Sequence, residues 1–254
     1  MTEFPLRVQS ASHTHEGRVR PRNEDSYCAR ESDGLWAVAD GMGGHENGEW
    51  ASAVLVENLG EAQLSGDFDS ACQAIAERMY AANAAIHAEA VTRGKQMGST
   101  VVALFVQGRR FAAFWVGDSR CYVLRDGDLI QLTRDHTQVQ EMVDRGLLLA
   151  EDAAGHPMGH VLSRAVGVAP DLQVDAIEDQ VQPGDIFLLC SDGLHGFVGE
   201  EEIRRLLSRA SPEETSPALV SVTLERGAPD NVTVITVMFT EPTLLSIKES
   251  VTAS

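Results

Sequence analysis

A chain of 254 residues, 43% of them hydrophobic, is long enough to bury a large core as one domain, and it shows no Pro/Gly/Ser-rich linker and no repeated unit. A formal net charge of −18 and a pI near 4.7 argue against nucleic acid or an anionic membrane as partner, since both attract basic patches. Four cysteines, Cys28, Cys72, Cys121 and Cys190, lack paired metal-ligand spacing, no secretion leader opens the chain and no apolar run approaches membrane-spanning length, so a cytoplasmic protein with free thiols is expected.

In chain order, cations and carboxylates gather first in Gly17-Arg18-Val19-Arg20-Pro21-Arg22-Asn23-Glu24-Asp25, just ahead of a strand-like stretch over 26–29. A strand over 35–39 leads into two helices, 46–60 and 69–93. The second carries Cys72, Ile75, Ala76, Met79, Ala82 and Ile86 at helical spacing, with Asp69 as its expected cap. Strands follow over 99–106, 111–116, 121–125 and 128–132. The segment 135–166 is polar and Gly-containing, and reads as a loop-rich excursion with one short helix. Strands over 172–177 and 186–190, helices over 200–209 and 212–226, and a strand over 232–239 complete one domain, 1–240. The tail, 241–254, places Leu244, Leu245, Ile247 and Val251 in a helix-compatible pattern. Two helices between strands and then a strand meander depart from βαβ alternation, and fit an α+β layered sandwich of antiparallel pairs.

Three carboxylates stand out by position. Asp40 in Ala37-Val38-Ala39-Asp40-Gly41, Asp192 in Leu188-Leu189-Cys190-Ser191-Asp192-Gly193 and Asp230 in Gly227-Ala228-Pro229-Asp230-Asn231 each lie on a sharp turn beside an apolar run. A strand that ends on Asp and turns on Gly delivers an unobstructed oxygen to a sheet edge, and several such ends can surround a hard cation. The dipeptide alone carries little weight, because Asp33-Gly34 and Asp126-Gly127 read as plain turns.

Taken in order, the 17–25 segment, Asp40-Gly41-Met42-Gly43-Gly44-His45, Val116-Gly117-Asp118-Ser119-Arg120, Ser191-Asp192-Gly193 and Asp230-Asn231 resemble the metal-dependent protein phosphatases, the type 2C Ser/Thr family, in its bacterial stand-alone form. The resemblance spans roughly 17–237. It implies a four-layer α-β-β-α sandwich, two antiparallel sheets face to face with helices outside. It also implies a hydrolase acting on phosphoserine or phosphothreonine with Mn²⁺ or Mg²⁺, two core ions and a third, looser one. Asp40 would bridge the core pair, the Gly41 carbonyl would join one ion, Asp192 and Asp230 would complete the other, and Asp25 would hold a coordinated water with Glu24 beside it. Asp118 would share the third ion with Asp192, although Gly117-Asp118-Ser119 also reads as a hairpin turn.

Arg20 matches the family's phosphate-binding arginine, with Arg18 and Arg22 as nearby competitors. The excursion over 135–166 becomes a flap, with His160 and Arg164 either contacting substrate or solvating a loop. Met42 stands where many eukaryotic relatives carry His; here the loop histidine is His45, which either protonates the leaving group or hydrogen-bonds within the loop. The implied partners are phosphorylated Ser/Thr proteins, a kinase or its substrates, met by a monomer. The 34–40 stretch resembles phosphatases attached to type VI secretion regulation.

The chemistry accounts for the residue types. Hydrolysis of a phosphate monoester requires acceleration of up to ~10²¹, whereas one positioned acid or base supplies about 10²–10⁴. Two divalent cations can activate a water and neutralise the phosphoryl oxygens together. Oxygen donors without Cys or obligatory His favour Mg²⁺ or Mn²⁺ over Zn²⁺. No cysteine is followed by the Gly-flanked loop and Arg of a thiol phosphatase. A catalytically weak phosphoprotein-binding module of the same fold is the alternative, and it predicts lost carboxylates.

Overall fold

The computed structural model describes residues 6–44, 46–153 and 156–241. In strand β3 (Leu35–Met42), Leu35, Ala37 and Ala39 face one core while Trp36 and Val38 face another. The same alternation runs through β5 (Val101–Gln107) and β6 (Arg110–Val116), where Ala103 and Phe114 face one way and Leu104 and Trp115 the other. Both faces of these strands are covered, and that is why their sequences are nearly continuous apolar runs.

These strands belong to an antiparallel sheet ordered β2-β3-β5-β6-β9, with β2 at Asp25–Arg30, β9 at Asp175–Gln180, and the short β4 (Gly98–Ser99) also on β3. A second antiparallel sheet is ordered β1-β11-β10-β7-β8, formed by β1 (Arg7–His15), β11 (Val232–Thr240), β10 (Ile186–Cys190), β7 (Arg120–Arg125) and β8 (Asp128–Gln131). Helices α1 (Glu46–Gly60) and α2 (Phe68–Arg93) cover the first sheet through Leu55, Ile75, Met79 and Ile86. Helices α5 (Asp192–His195), α6 (Glu200–Leu207) and α7 (Pro212–Glu225) cover the second through Leu194, Ile203, Leu207 and Leu219. The result is the four-layer sandwich that the family resemblance implies. Among the described residues no helix is long and apolar enough to cross a membrane.

Departures from the expected elements have local causes. Strand β1 escaped the sequence reading because Arg7–His15 is largely polar, yet it pairs along its whole length with β11, Arg7 to Thr240 through His15 to Val232. The strand expected over 172–177 lies at Asp175–Gln180 instead. Leu172 and Val174 pack into the helix-side core, and the ladder to β6 begins only at Trp115 opposite Asp175. The acidic, exposed character of β9 suits a sheet edge that must not pair with another chain. Helix α2 is capped by Asp67, whose carboxylate accepts from the Ser70 amide at 2.8 Å, and Asp69 lies inside the first turn. The 135–166 excursion contains two short helices, α3 (Gln138–Asp144) and α4 (Ala150–Ala153), and is tied down by bridges Thr137–Leu162 and Ser99–Val166. The tail pattern from Leu244 onward and His45 lie outside the described residues.

Between the sheets, aromatic edges interlock. Phe187 meets Phe111 at 4.9 Å and Phe239 at 5.7 Å between ring centroids, and Phe239 meets Trp36 at 6.5 Å, all T-shaped. Phe187 therefore touches both sheets and is wholly buried. Phe187→Ala is expected to cost about 3–5 kcal/mol of unfolding free energy, read as a lowered urea midpoint with an unchanged slope. A cost below about 1 kcal/mol would mean that this contact does not hold the sheets together.

Candidate active site

Strand register brings the functional turns to one end of the sandwich. In the second sheet, His15 lies opposite Val232, and Cys190 lies between Val234 and Arg120. The segments leading to Arg20, Asp230 and Asp192 therefore leave the sheet side by side. In the first sheet, Asp25 lies directly opposite Asp40, and Val101 opposite Val116, which places the Asp118 turn beside the end of β3. Gly193 seals the junction: a Cβ there would overlap the Asn231 carbonyl oxygen, so only glycine lets α5 rest on the Asp230 loop.

A cavity of about 550 Å³ opens at this end, lined by Arg20, Glu24, Asp40, Gly41, Thr100, Asp118, His160, Asp192 and Asp230 among others. Asp25 sits behind the wall, buried, with Oδ2 accepting from Ser191 Oγ at 2.8 Å and Oδ1 without a hydrogen-bond partner. The Asp40 amide donates to Thr100 Oγ1 at 3.1 Å, and its carbonyl accepts from the Thr100 amide at 2.8 Å. Asn231 Oδ1 accepts from the Glu24 amide at 2.8 Å, while its Nδ2 donates to the carbonyls of Glu16 and Arg22. Arg20 Nη2 donates to Asp230 Oδ2 at 2.7 Å. His160 Nδ1 stands 3.8 Å from Asp192 Oδ2, an ion-pair distance longer than a hydrogen bond.

Like charges in this small volume perturb one another. Burial, offset in part by the Thr233 and Ser191 hydroxyls, pushes Asp25 up to about 7, and neighbouring Asp192 and Asp230 add to the rise. Burial and then the charge of Asp192 push Asp118 up to about 8. Asp40 is held well above the carboxylate range by burial and by Asp25 and Asp192. Asp192 moves the other way: burial would raise it, but the His160 contact and the charge of His195 outweigh that, and Asp40 lowers it further. Among the described residues no guanidinium or ammonium pairs with Asp25, Asp40 or Asp118. Nor do any three His, Cys, Asp or Glu side chains among them already close around one point. The donors nevertheless suit a hard divalent cation: they are all oxygen, they repel one another, and one buried oxygen is unsatisfied.

Of the residues anticipated from sequence, Arg20, Asp40, Gly41, Asp118, His160, Asp192 and Asp230 line the cavity, and Asp25 backs it. Arg164 does not line it; its Nη1 donates to Asp175 Oδ1 at 2.8 Å. Arg18 and Arg22 point elsewhere, Arg18 to the Leu224 carbonyl and Arg22 to Glu46 and Glu49. The sequence reading missed Thr100, Ser191 and Asn231 as the groups that orient the carboxylates. Two of them lie inside the motifs Ser191-Asp192-Gly193 and Asp230-Asn231.

Comparison with known proteins places this geometry. The model of the protein phosphatase 2C family matches residues 10–223. The chain belongs to that family. It is 36% identical over 240 residues to the serine/threonine protein phosphatase PstP of Mycobacterium tuberculosis, covering 92% of this chain and 46% of PstP, so it spans just under half the length of that relative. Among solved structures it resembles PppA, a key regulatory component of the type VI secretion system in Pseudomonas aeruginosa, with a TM-score of 0.85 and 39% identity over 91% of this chain and 97% of that one. It also resembles the catalytic domain of PstP in complex with two manganese ions, with a TM-score of 0.81 and 35% identity over 93% of this chain and all of that one.

The raised carboxyls set the pH dependence of the metal-free protein. In the unfolded chain Asp ionises near 3.9, whereas in the fold Asp25 and Asp118 keep their protons to about 7 and about 8. The folded state binds the extra protons, so these groups lower stability progressively as pH rises from about 4 through about 8. The thermal midpoint of metal-stripped protein is expected to drop between about pH 6 and pH 8, and Asp118→Asn to lessen the drop. Identical pH profiles for the two proteins would refute the assigned shift.

Proposed function

We propose that this chain is a protein Ser/Thr phosphatase that hydrolyses phosphoserine and phosphothreonine in phosphoproteins, using Mn²⁺ or Mg²⁺ held by Asp40, the Gly41 carbonyl, Asp192 and Asp230, with Asp25 behind them and Asp118 beside them. The observation that carries this reading is that Asp25, Asp40 and Asp118, gathered with Asp192 and Asp230, pair with no guanidinium or ammonium among the described residues. Elsewhere the same fold pairs such groups fully. Asp185, 1% exposed, accepts two Arg125 hydrogen bonds at 2.9 and 2.7 Å, and Asp135 accepts from Arg120 Nε at 2.9 Å and Nη2 at 2.7 Å. When bound, a pair of divalent ions supplies a nucleophilic water at neutral pH and neutralises charge on the phosphoryl oxygens.

The chain's own residues do the rest. Arg20, with half its side chain exposed, presents a planar fork to two phosphoryl oxygens at the cavity mouth. His160 has 78% of its side chain exposed, and Asp192 raises its pKa, so near neutral pH it offers a proton-bearing nitrogen at the mouth. Thr100 fixes the backbone of Asp40 from both sides, which aims its carboxylate without neutralising it. A thiol route lacks its nucleophile, because burial pushes Cys190 up to about 12 and Cys121 higher still.

We place this activity in the cytoplasm, carried by a monomer that opposes a bacterial Ser/Thr kinase. The likeness to PppA supports a setting in type VI secretion regulation. The alternative, a phosphoprotein-binding module of the same fold, requires carboxylates to be lost, and Asp25, Asp40, Asp192 and Asp230 are all present.

Hydrolysis of a chromogenic aryl phosphate is expected to depend on added Mn²⁺ and to stop with a chelator. Asp40→Ala and Asp192→Ala should each bring turnover to background while the protein stays folded by circular dichroism, since each removes a charge from a repelling cluster. Either variant turning over at the wild-type rate would overturn the reading. Arg20→Lys is expected to raise KM for a phosphopeptide, because a single ammonium cannot reproduce the two-point fork. An unchanged KM would remove Arg20 from substrate binding.

A further inference from the structure

Asp118 is buried and lines the same cavity as Asp192. Two imidazoles grip its turn. On one side, the Gly117 amide donates to His136 Nδ1 at 3.0 Å, and the His136 amide donates to the Gly117 carbonyl at 2.9 Å. On the other, His195 Nε2 donates to the Asp118 carbonyl at 3.0 Å. The partners fix the tautomers. A backbone carbonyl only accepts, so His195 carries its proton on Nε2, and a backbone N–H only donates, so His136 Nδ1 is bare and its Nε2 carries the proton. That Nε2 donates to Asp175 Oδ2 at 3.1 Å, while Asp175 Oδ1 takes Arg164. The Trp115 ring stacks on His136 at 6.2 Å between centroids and 20° between planes. Gly117 itself has φ +105°, and an added Cβ would lie 2.7 Å from Thr100, which in turn accepts from the Asp40 amide.

Neither histidine lines the cavity. We propose that His136 and His195 are positioning residues that together pin the Gly117–Asp118 turn, and so fix the Asp118 carboxylate in the cavity it lines with Asp192, where the two would share a cation. The inference rests on the metal-dependent reading above, and adds to it the residues outside the cavity on which that position depends. It also gives Arg164 a place: through Asp175 it orients His136, as outer partners orient the groups around a metal.

The test is calorimetric titration of full-length protein with Mn²⁺, resolving the weakest site from tighter ones. His195→Ala and His136→Ala are expected to weaken that site by about tenfold or more and leave the tighter affinity in place. His195→Gln, which keeps a donor at the Nε2 position, and His136→Asn, which keeps an acceptor at the Nδ1 position, should recover most of the loss. Asp175→Asn, which leaves both imidazoles present, should give a smaller loss of the same site. If an alanine variant does not fold, the Asp175→Asn titration decides. Wild-type Mn²⁺ affinities in all of these variants would overturn the clamp while leaving the phosphatase reading intact. Failure of the wild-type protein to bind Mn²⁺ at all would overturn both.

Discussion

The rest of the structure depends on one costly interaction: several carboxylates gathered at one end of the sandwich, of which Asp25, Asp40 and Asp118 pair with no guanidinium or ammonium among the described residues. Asp25 and Asp40 face each other directly across β2 and β3, an arrangement that destabilises a sheet when both are charged. A single-residue slip of that ladder would turn Asp40 away from Asp25 and bring Trp36 and Val38 out of the core between the sheets. The apolar alternation of β3 therefore fixes the register, and the register fixes the repulsion. Core and site are specified by the same residues.

The four-layer architecture makes that cost bearable. Each inner sheet is clamped on both faces, so strand ends can carry strained turns without fraying. Antiparallel pairing then delivers the end of β3, the start of β2, the turn after β6 and the loops flanking β10 and β11 to the same rim. No single element could assemble the cluster. Asp25 and Asp230 are more than two hundred residues apart, yet Asn231 accepts from the Glu24 amide while donating to the Arg22 carbonyl. That one amide side chain stitches the beginning of the chain to its end.

Much of this was legible in the sequence where side chains obey a strong period. The runs over 101–107, 110–116 and 186–190 are short, rich in β-branched or aromatic residues and buried on both sides, as inner strands are. Legibility failed where tertiary pairing overrides local preference: β1 is polar and exists because β11 lies beside it, and the start of β9 is set by Trp115 rather than by its own apolar residues. The carboxylates were legible because their motifs recur in order. Their orienting groups were not, since Thr100, His136 and His195 stand in none of those motifs and Asn231 reads only as a neighbour of Asp230. Arg164 was visible as a flap cation, but its engagement with Asp175 could be known only from the fold.

The contrast between two kinds of buried carboxylate is what separates stability from function here. Asp185 is buried more completely than Asp118, yet it is satisfied by Arg125 and by the Gln182 amide at 2.7 Å. A fold able to build that arrangement at one end of β7 gives Asp118, just before the other end, no ion pair among the described residues. It spends Arg120, the first residue of β7 and two positions from Asp118, on Asp135 instead. Turning that guanidinium toward Asp118 would relieve the repulsion and stabilise the metal-free protein, but it would also fill the space with a fixed charge. Directing Arg120 to Asp135 and steadying the Asp118 turn through neutral imidazoles keeps the carboxyl in place without a salt bridge among the described residues, which leaves it open to a dication.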